Sequence, residues 1–94
     1  MNRLRGKAVV EFPRQAAPKS EALAGLKARL KDTLACRVRE LRRAKRMNQR
    51  ELAEAAAIRQ ALVSQIERGE ANPTLDTIVK IAMALEVRFS DLFE

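Results

Sequence analysis

The chain has 94 residues, enough for one domain with one modest core and too few for two cores or a deep substrate cleft. Its only aromatics are Phe12, Phe89 and Phe93, so the core falls to Leu, Ile, Val and Ala, which favours helices and argues against a sheet that stacks bases on aromatic rings. The net charge of +7 is uneven: residues 1–50 hold fifteen basic and four acidic side chains, net +11, and residues 51–94 hold four and eight, net −4, which points to a polyanionic partner beside the first half unless those charges are merely a solvated face.

Residues 1–19 carry Pro13, Pro18 and five basic side chains with no helical period, and read as a basic arm. Within it, Lys7-Ala8-Val9-Val10-Glu11-Phe12 has the composition of a short strand, which would need a partner. Ser20 is placed to cap an extra N-terminal helix, residues 20–32, with Leu23, Leu26 and Leu30 on one stripe; it either ends near Asp32 or runs straight on. From Leu34 the pattern tightens, with Leu34, Val38 and Leu41 marking the buried stripe of a helix that ends at about Ala44 to Arg46. A second helix, Gln49 to Ala56, turns Leu52 and Ala53 inward. A third, Arg59 to Arg68, turns Val63 and Ile66 inward and stops at Gly69, a natural left-handed residue. Asn72-Pro73-Thr74 breaks the chain, and Thr74 caps a fourth helix bearing Leu75, Ile78, Ile81, Ala82 and Leu85. Ser90 is expected to cap a terminal turn holding Leu92 and Phe93. The expectation is an all-α fold, a five-helix orthogonal bundle over residues 34–94, preceded by the arm and the extra helix.

Two short amphipathic helices joined by a tight turn form the unit that sets one helix into the DNA major groove. Residues Gln49 to Gly69 have that form: Ala53 is small enough for the third helix to approach, and Ile58 plugs the turn into the core. Helical hairpins in inert bundles share the pattern. Four further pieces fall in order: Arg37-Val38-Arg39-Glu40-Leu41-Arg42; Asn48-Gln49 with Leu52-Ala53-Glu54; Ser64-Gln65-Ile66-Glu67-Arg68-Gly69; and Asn72-Pro73-Thr74-Leu75 with Ile81-Ala82-Met83-Ala84-Leu85. With these, residues 34–93 resemble the Cro and lambdoid-repressor (Xre-type) helix-turn-helix family.

The resemblance implies a lambda-repressor-like bundle whose third helix reads DNA, with Gln60, Ala61, Ser64 and Gln65 as the base-reading positions. Their chemistry suits this: Gln can pair with adenine N6 and N7, Ser can reach several bases, and Ala can meet a thymine methyl. Leu62 between them meets a thymine methyl, a partner protein or only the helix flank. Gln49 is expected to set the second helix's N-terminus against a phosphate and to brace Gln60 with its side chain. Arg43, Lys45, Arg46, Arg50 and Arg59 are candidate phosphate contacts. Arg42 and Glu67 fall where the family has a buried structural ion pair. Three positions depart from the family pattern: Ala57 and Arg46 stand where glycine is usual, and Arg59 where Ser or Thr usually caps the recognition helix. Glu70 lies in a loop that usually approaches the DNA backbone, and should repel it.

The resemblance further implies a homodimer paired through the last helix, with Phe89, Leu92 and Phe93 as the interface and core filling as the alternative for each. Double-stranded DNA and a second copy are thus the expected partners. No His and a single Cys36 leave no zinc cluster and no disulfide within the chain, so no cofactor or metal is expected. No apolar run approaches the ~20 residues of a membrane span, and the basic start precedes no signal-type stretch, so the expected setting is cytoplasmic, nucleoid-associated and bacterial or phage-type. With the sequence stopping at Glu94, no effector domain and no small-molecule sensing are expected. A transcriptional regulator, a repressor or autoregulator, is the leading expectation. An antitoxin that blocks a toxin or other small protein through residues 1–32 is the alternative, a bridging coactivator a third, and an enzyme the weakest.

Overall fold

The computed structural model describes residues 20–94. The strand expected at residues 7–12 and the arm around it lie outside the described residues. Four α-helices follow one another: α1 (Ser20–Ala44), α2 (Gln49–Ala56), α3 (Gln60–Glu67) and α4 (Leu75–Leu85), with a closing 3-10 turn at Phe89–Leu92. Among the described residues the α-helices number four rather than five, because the terminal segment closes only a single four-residue turn. Arg88, not Ser90, precedes that turn, and its backbone N–H donates to Asp91 Oδ2 at 2.9 Å. Among the described residues no helix is long and apolar enough to cross a membrane.

The extra N-terminal helix and the first bundle helix are one element. Residues 31–34, Lys-Asp-Thr-Leu, contain neither Gly nor Pro, and nothing there competes strongly enough to end a helix. The C-terminal half of α1 buries Leu34, Ala35 and Val38 in the bundle, while Leu23 and Leu30 on the N-terminal half stay nearly half exposed. Leu34 and Val38 meet Leu52 and Ala53 of α2, Val63 and Ile66 of α3, Ile81, Ala82 and Leu85 of α4, and Leu92 of the closing turn in one core. Ile58 and Leu62 pack partly against it.

All four α-helices end in the same way. The residue after the last helical turn takes the left-handed conformation: Arg46 (φ 59°), Ala57 (φ 58°), Gly69 (φ 72°) and Glu86 (φ 60°). In each case the next N–H reaches back to the carbonyl five residues earlier: Met47 to Arg42, Ile58 to Ala53, Glu70 to Gln65 and Val87 to Ala82, at 2.9–3.1 Å. This is the Schellman closure, which satisfies carbonyls that a helix end leaves open. Only one of the four is glycine, and a Cβ on Gly69 would lie 3.2 Å from Oδ1 of the exposed Asp32 side chain of α1.

Candidate functional site

The helix-turn-helix is held by a buried polar link. Arg42, near the end of α1, donates from Nε to Glu67 Oε2 at 2.6 Å and from Nη2 to Glu67 Oε1 at 2.9 Å. A third donor, Nη1, reaches the Met47 carbonyl at 2.8 Å. Both side chains are buried, and the Glu67 carboxylate beside it holds the Arg42 guanidinium above its usual range, hydrogen bonding outweighing desolvation. Gln49 joins the same carboxylate, donating Nε2 to Glu67 Oε1 at 3.1 Å. Its side chain thus braces Glu67 rather than Gln60 as expected. Arg39 adds a hydrogen bond from its guanidinium to the Glu67 carbonyl. The C-terminal end of α3 is therefore tied to α1 and α2 through several charge-assisted bonds.

Around that anchor α3 turns Val63, Ile66 and Glu67 inward and leaves Gln60, Ala61 and Gln65 exposed, with Ser64 half-buried. Leu62 is half-buried and packs against the edge of the core. Ser64 Oγ accepts a hydrogen bond from Arg68 Nη1, and Arg68 in turn holds Glu70 Oε1 at 3.0 Å. Glu70 is thus paired with Arg68 rather than left as a bare charge in the loop.

The six basic and polar residues expected at phosphates separate. Arg43, Arg46 and Arg59 are exposed and, among the described residues, make no ion pair. Arg59 flanks α3 without a side-chain cap bond, as its departure from Ser or Thr implies. Arg50 lies 3.6 Å from Glu54 on the exposed face of α2. Lys45 is drawn to Glu86 at 2.7 Å, which holds the Glu86 carboxyl below its usual range and fastens the end of α1 to the end of α4. Gln49 opens α2 just after Asn48, whose side chain accepts from Glu51 N at 2.7 Å while Glu51 Oε1 accepts from Asn48 N at 2.8 Å. This capping box takes two donors and sets a carboxylate at the helix start, leaving the N–H groups of Gln49 and Arg50 for an anion. Its Asn-x-x-Glu signature is present in the sequence and was missed, as were the Arg39 and Arg68 contacts, which carry no local signal.

The expected interface residues also divide. Leu92 is fully buried in its own chain and belongs to the core, because the 3-10 turn folds it under α1 and α4. Phe89 is 42% exposed, and Phe93 is half-buried with its ring centroid 5.6 Å from that of Phe89. The larger uncovered apolar feature is a stripe on α4: Leu75, Val79 and Met83, spaced i, i+4 and i+8, are 67%, 40% and 73% exposed.

The helix-turn-helix family HTH_3 matches residues 38–92, which takes in the bundle and leaves the first eighteen residues of α1 outside. Over 57 residues the chain is 40% identical to the HTH-type transcriptional regulator SutR of Escherichia coli, a match covering 61% of this chain and 32% of SutR. The chain thus spans about a third of that relative. It is 39% identical over 57 residues to an HTH-type transcriptional regulator of Archaeoglobus fulgidus, covering 81% of that protein. Among solved structures, the restriction-modification controller protein C.AhdI of Aeromonas hydrophila superposes with a TM-score of 0.65 and 36% identity, over 67% of this chain and 96% of the controller. An HTH_3 family transcriptional regulator of Vibrio cholerae gives 0.68 and 34%, over 71% and 38% of the two chains.

Proposed function

The chain belongs to the HTH_3 helix-turn-helix family, and from that premise we propose that it binds double-stranded DNA sequence-specifically as a homodimer and regulates transcription as a repressor or autoregulator. One observation carries the reading. The anchored α3 buries Val63 and Ile66 and keeps Gln60, Ala61 and Gln65 exposed, as a helix that docks in the major groove requires. Gln60, Ala61, Ser64 and Gln65 are the base readers in this proposal. Gln49, Arg43, Arg46, Arg50 and Arg59 hold phosphates, with Lys45 secondary because Glu86 engages it. The near-complete coverage of the controller C.AhdI supports the autoregulator form.

A single eight-residue helix reads only a few base pairs, so the proposal includes a second copy bound to a second half-site. Its contact surface is the α4 stripe of Leu75, Val79 and Met83 with Phe89 and the exposed part of Phe93. Selecting bound duplexes from a random DNA pool tests the whole reading. The expected product is a pseudopalindrome with half-site centres about 34 Å apart. If no duplex is enriched, the reading fails; a single unrepeated site removes the dimer.

The antitoxin reading has one observation in its favour. Leu23 and Leu30 are 48% and 45% exposed on the half of α1 that lies outside the matched family region. Co-purification of a small partner protein that is lost on deleting residues 1–32 would favour it.

A further inference from the structure

The N-terminal half of α1 stands outside the bundle. It fully buries no side chain before Leu34, and its Leu23 and Leu30 are 48% and 45% exposed. A helical stretch of that length is marginal alone in water and gains most of its stability from covering an apolar face. Where it meets the bundle, Leu30 and Leu34 of α1, Ile78 of α4 and Phe93 after the closing turn line an apolar groove of about 180 Å³, with Lys27 and Lys31 also lining it. A cavity of about 150 Å³ lined by Leu, Ile and Phe takes up benzene, so this groove has room for one phenyl ring. Among the described residues neither Lys27 nor Lys31 makes an ion pair. The groove therefore suits an occupant with an aromatic ring and a carboxylate beside it.

In residues 1–19 the sequence has a single aromatic, Phe12, and a single acid, Glu11, side by side and preceded by Val9 and Val10. We propose that residues 9–12 of the same chain dock in this groove, with the Phe12 ring between Leu30 and Ile78 and the Glu11 carboxylate toward Lys27 and Lys31. Their composition is that of a strand, but the described residues contain no strand and so no sheet edge to join. A helical groove is the surface left for their apolar side chains. The reach suffices: Phe12 precedes Ser20 by eight residues, which extend to about 29 Å, and Leu30 lies about 15 Å along α1 from Ser20. A tether that short holds the segment at an effective concentration on the order of millimolar, which favours the chain's own arm over a second copy's or a partner protein's segment. Burial of the ring supplies the attraction, and the exposed charges chiefly set its direction. The docking is independent of DNA binding and gives the outlying half of α1 a covered face.

The test is NMR on the full chain, whose three phenylalanines are its only aromatics. Ring protons of Phe12 should show through-space contacts to the methyls of Leu30 and Ile78, and in a mixture of labelled and unlabelled chains these contacts should be missing from the intermolecular spectrum. Phe12→Ala should speed amide exchange of α1 residues 25–32 about fivefold or more and leave α2 to α4 within about twofold of wild type. Leu30→Ala should speed the same amides, and adding Phe12→Ala to it should change them less than about twofold further, because both side chains act through one contact. Glu11→Lys, which sets a like charge beside Lys27 and Lys31, should speed them too, by less than Phe12→Ala. The inference is overturned if the ring touches neither methyl, or if the contacts are intermolecular only, which makes the occupant a second copy. It is also overturned if Phe12→Ala leaves the exchange of residues 25–32 unchanged or affects it less than Glu11→Lys, or if its effect is undiminished in the Leu30→Ala background. A co-purifying protein that fills the groove and excludes the Phe12 ring would likewise replace the arm as occupant. None of these readouts involves DNA, so the docking and the operator reading stand or fall separately.

Discussion

Arg42 on α1 and Glu67 on α3, 25 residues apart, face each other in a two-pronged ion pair whose carboxylate is shared by Gln49 of α2. Three helices therefore converge on one buried acid. Removing either charged partner strands the other without water. Arg42→Ala and Glu67→Ala are each expected to lower unfolding free energy by about 3–5 kcal/mol, and Arg42→Met with Glu67→Leu to recover much of that loss. Urea unfolding measures all three, and single variants within a few tenths of wild type would remove the pair from its structural role.

Ala57 sits at φ 58° in the closure of α2, and its side chain is exposed. An alanine pays roughly 1 kcal/mol for that left-handed conformation relative to glycine. Ala57→Gly should accordingly raise stability by about 1 kcal/mol, while Ala55→Gly, two residues earlier inside the helix, should lower it by about 0.5–1 kcal/mol. Thermal melts of the two variants should move in opposite directions.

Acid should loosen the C-terminal closure. Lys45 holds the Glu86 carboxyl below its usual range, and Arg88 does the same for Asp91, in each case first by side-chain hydrogen bonding. A carboxyl depressed in the folded state contributes stability that is fully present above its unfolded value, about 4, and is lost as pH falls through the lower folded value. The urea midpoint should hold from neutrality to about pH 5 and then decline. In Glu86→Gln with Asp91→Asn the decline below pH 4 should be shallower; an unaltered acid branch would mean that other carboxyls govern it.

Readout and attachment should separate. Gln60→Ala and Gln65→Ala are expected to cost about 1–3 kcal/mol each on the preferred operator and little on random duplex. Arg50→Ala should leave sequence preference in place and flatten the log–log salt dependence by about one unit. Titrations on specific and random DNA at several salt concentrations distinguish the two classes. Equal losses on both duplexes for the glutamine variants would reduce them to backbone contacts.

Much of the bundle was legible because it rests on periodicity and punctuation. Leu34, Val38, Leu52, Val63, Ile66, Ile81 and Leu85 are core as their spacing predicts, Thr74 caps α4 by accepting from Thr77 N at 3.1 Å, and Gly69 is left-handed. Continuity through residue 33 stayed open because no breaker and no strong cap stands there. Leu92 was misplaced for a related reason: a single turn has too few residues for spacing to say which face is inward. The pairings that orient the site were beyond local reading. Lys45 meets Glu86 41 residues away and Arg39 meets Glu67 28 residues away, and only the packed fold brings them together. Glu86 gave no warning of its left-handed turn, since nothing about a glutamate announces a helix end.

The brevity of α2 and α3 has a consequence for how the protein is lost as well as how it works. Eight residues is well below the length at which a helix persists alone in water, so neither survives release from the core that α1 and α4 complete. A fragment carrying only Gln49 to Gly69 should be a coil, and a chain opened at the Arg42 anchor should carry no reading surface at all. Recognition and resistance to proteolysis therefore fail together, in a single cooperative event, and any quality-control protease that samples the open chain meets a molecule already unable to hold an operator.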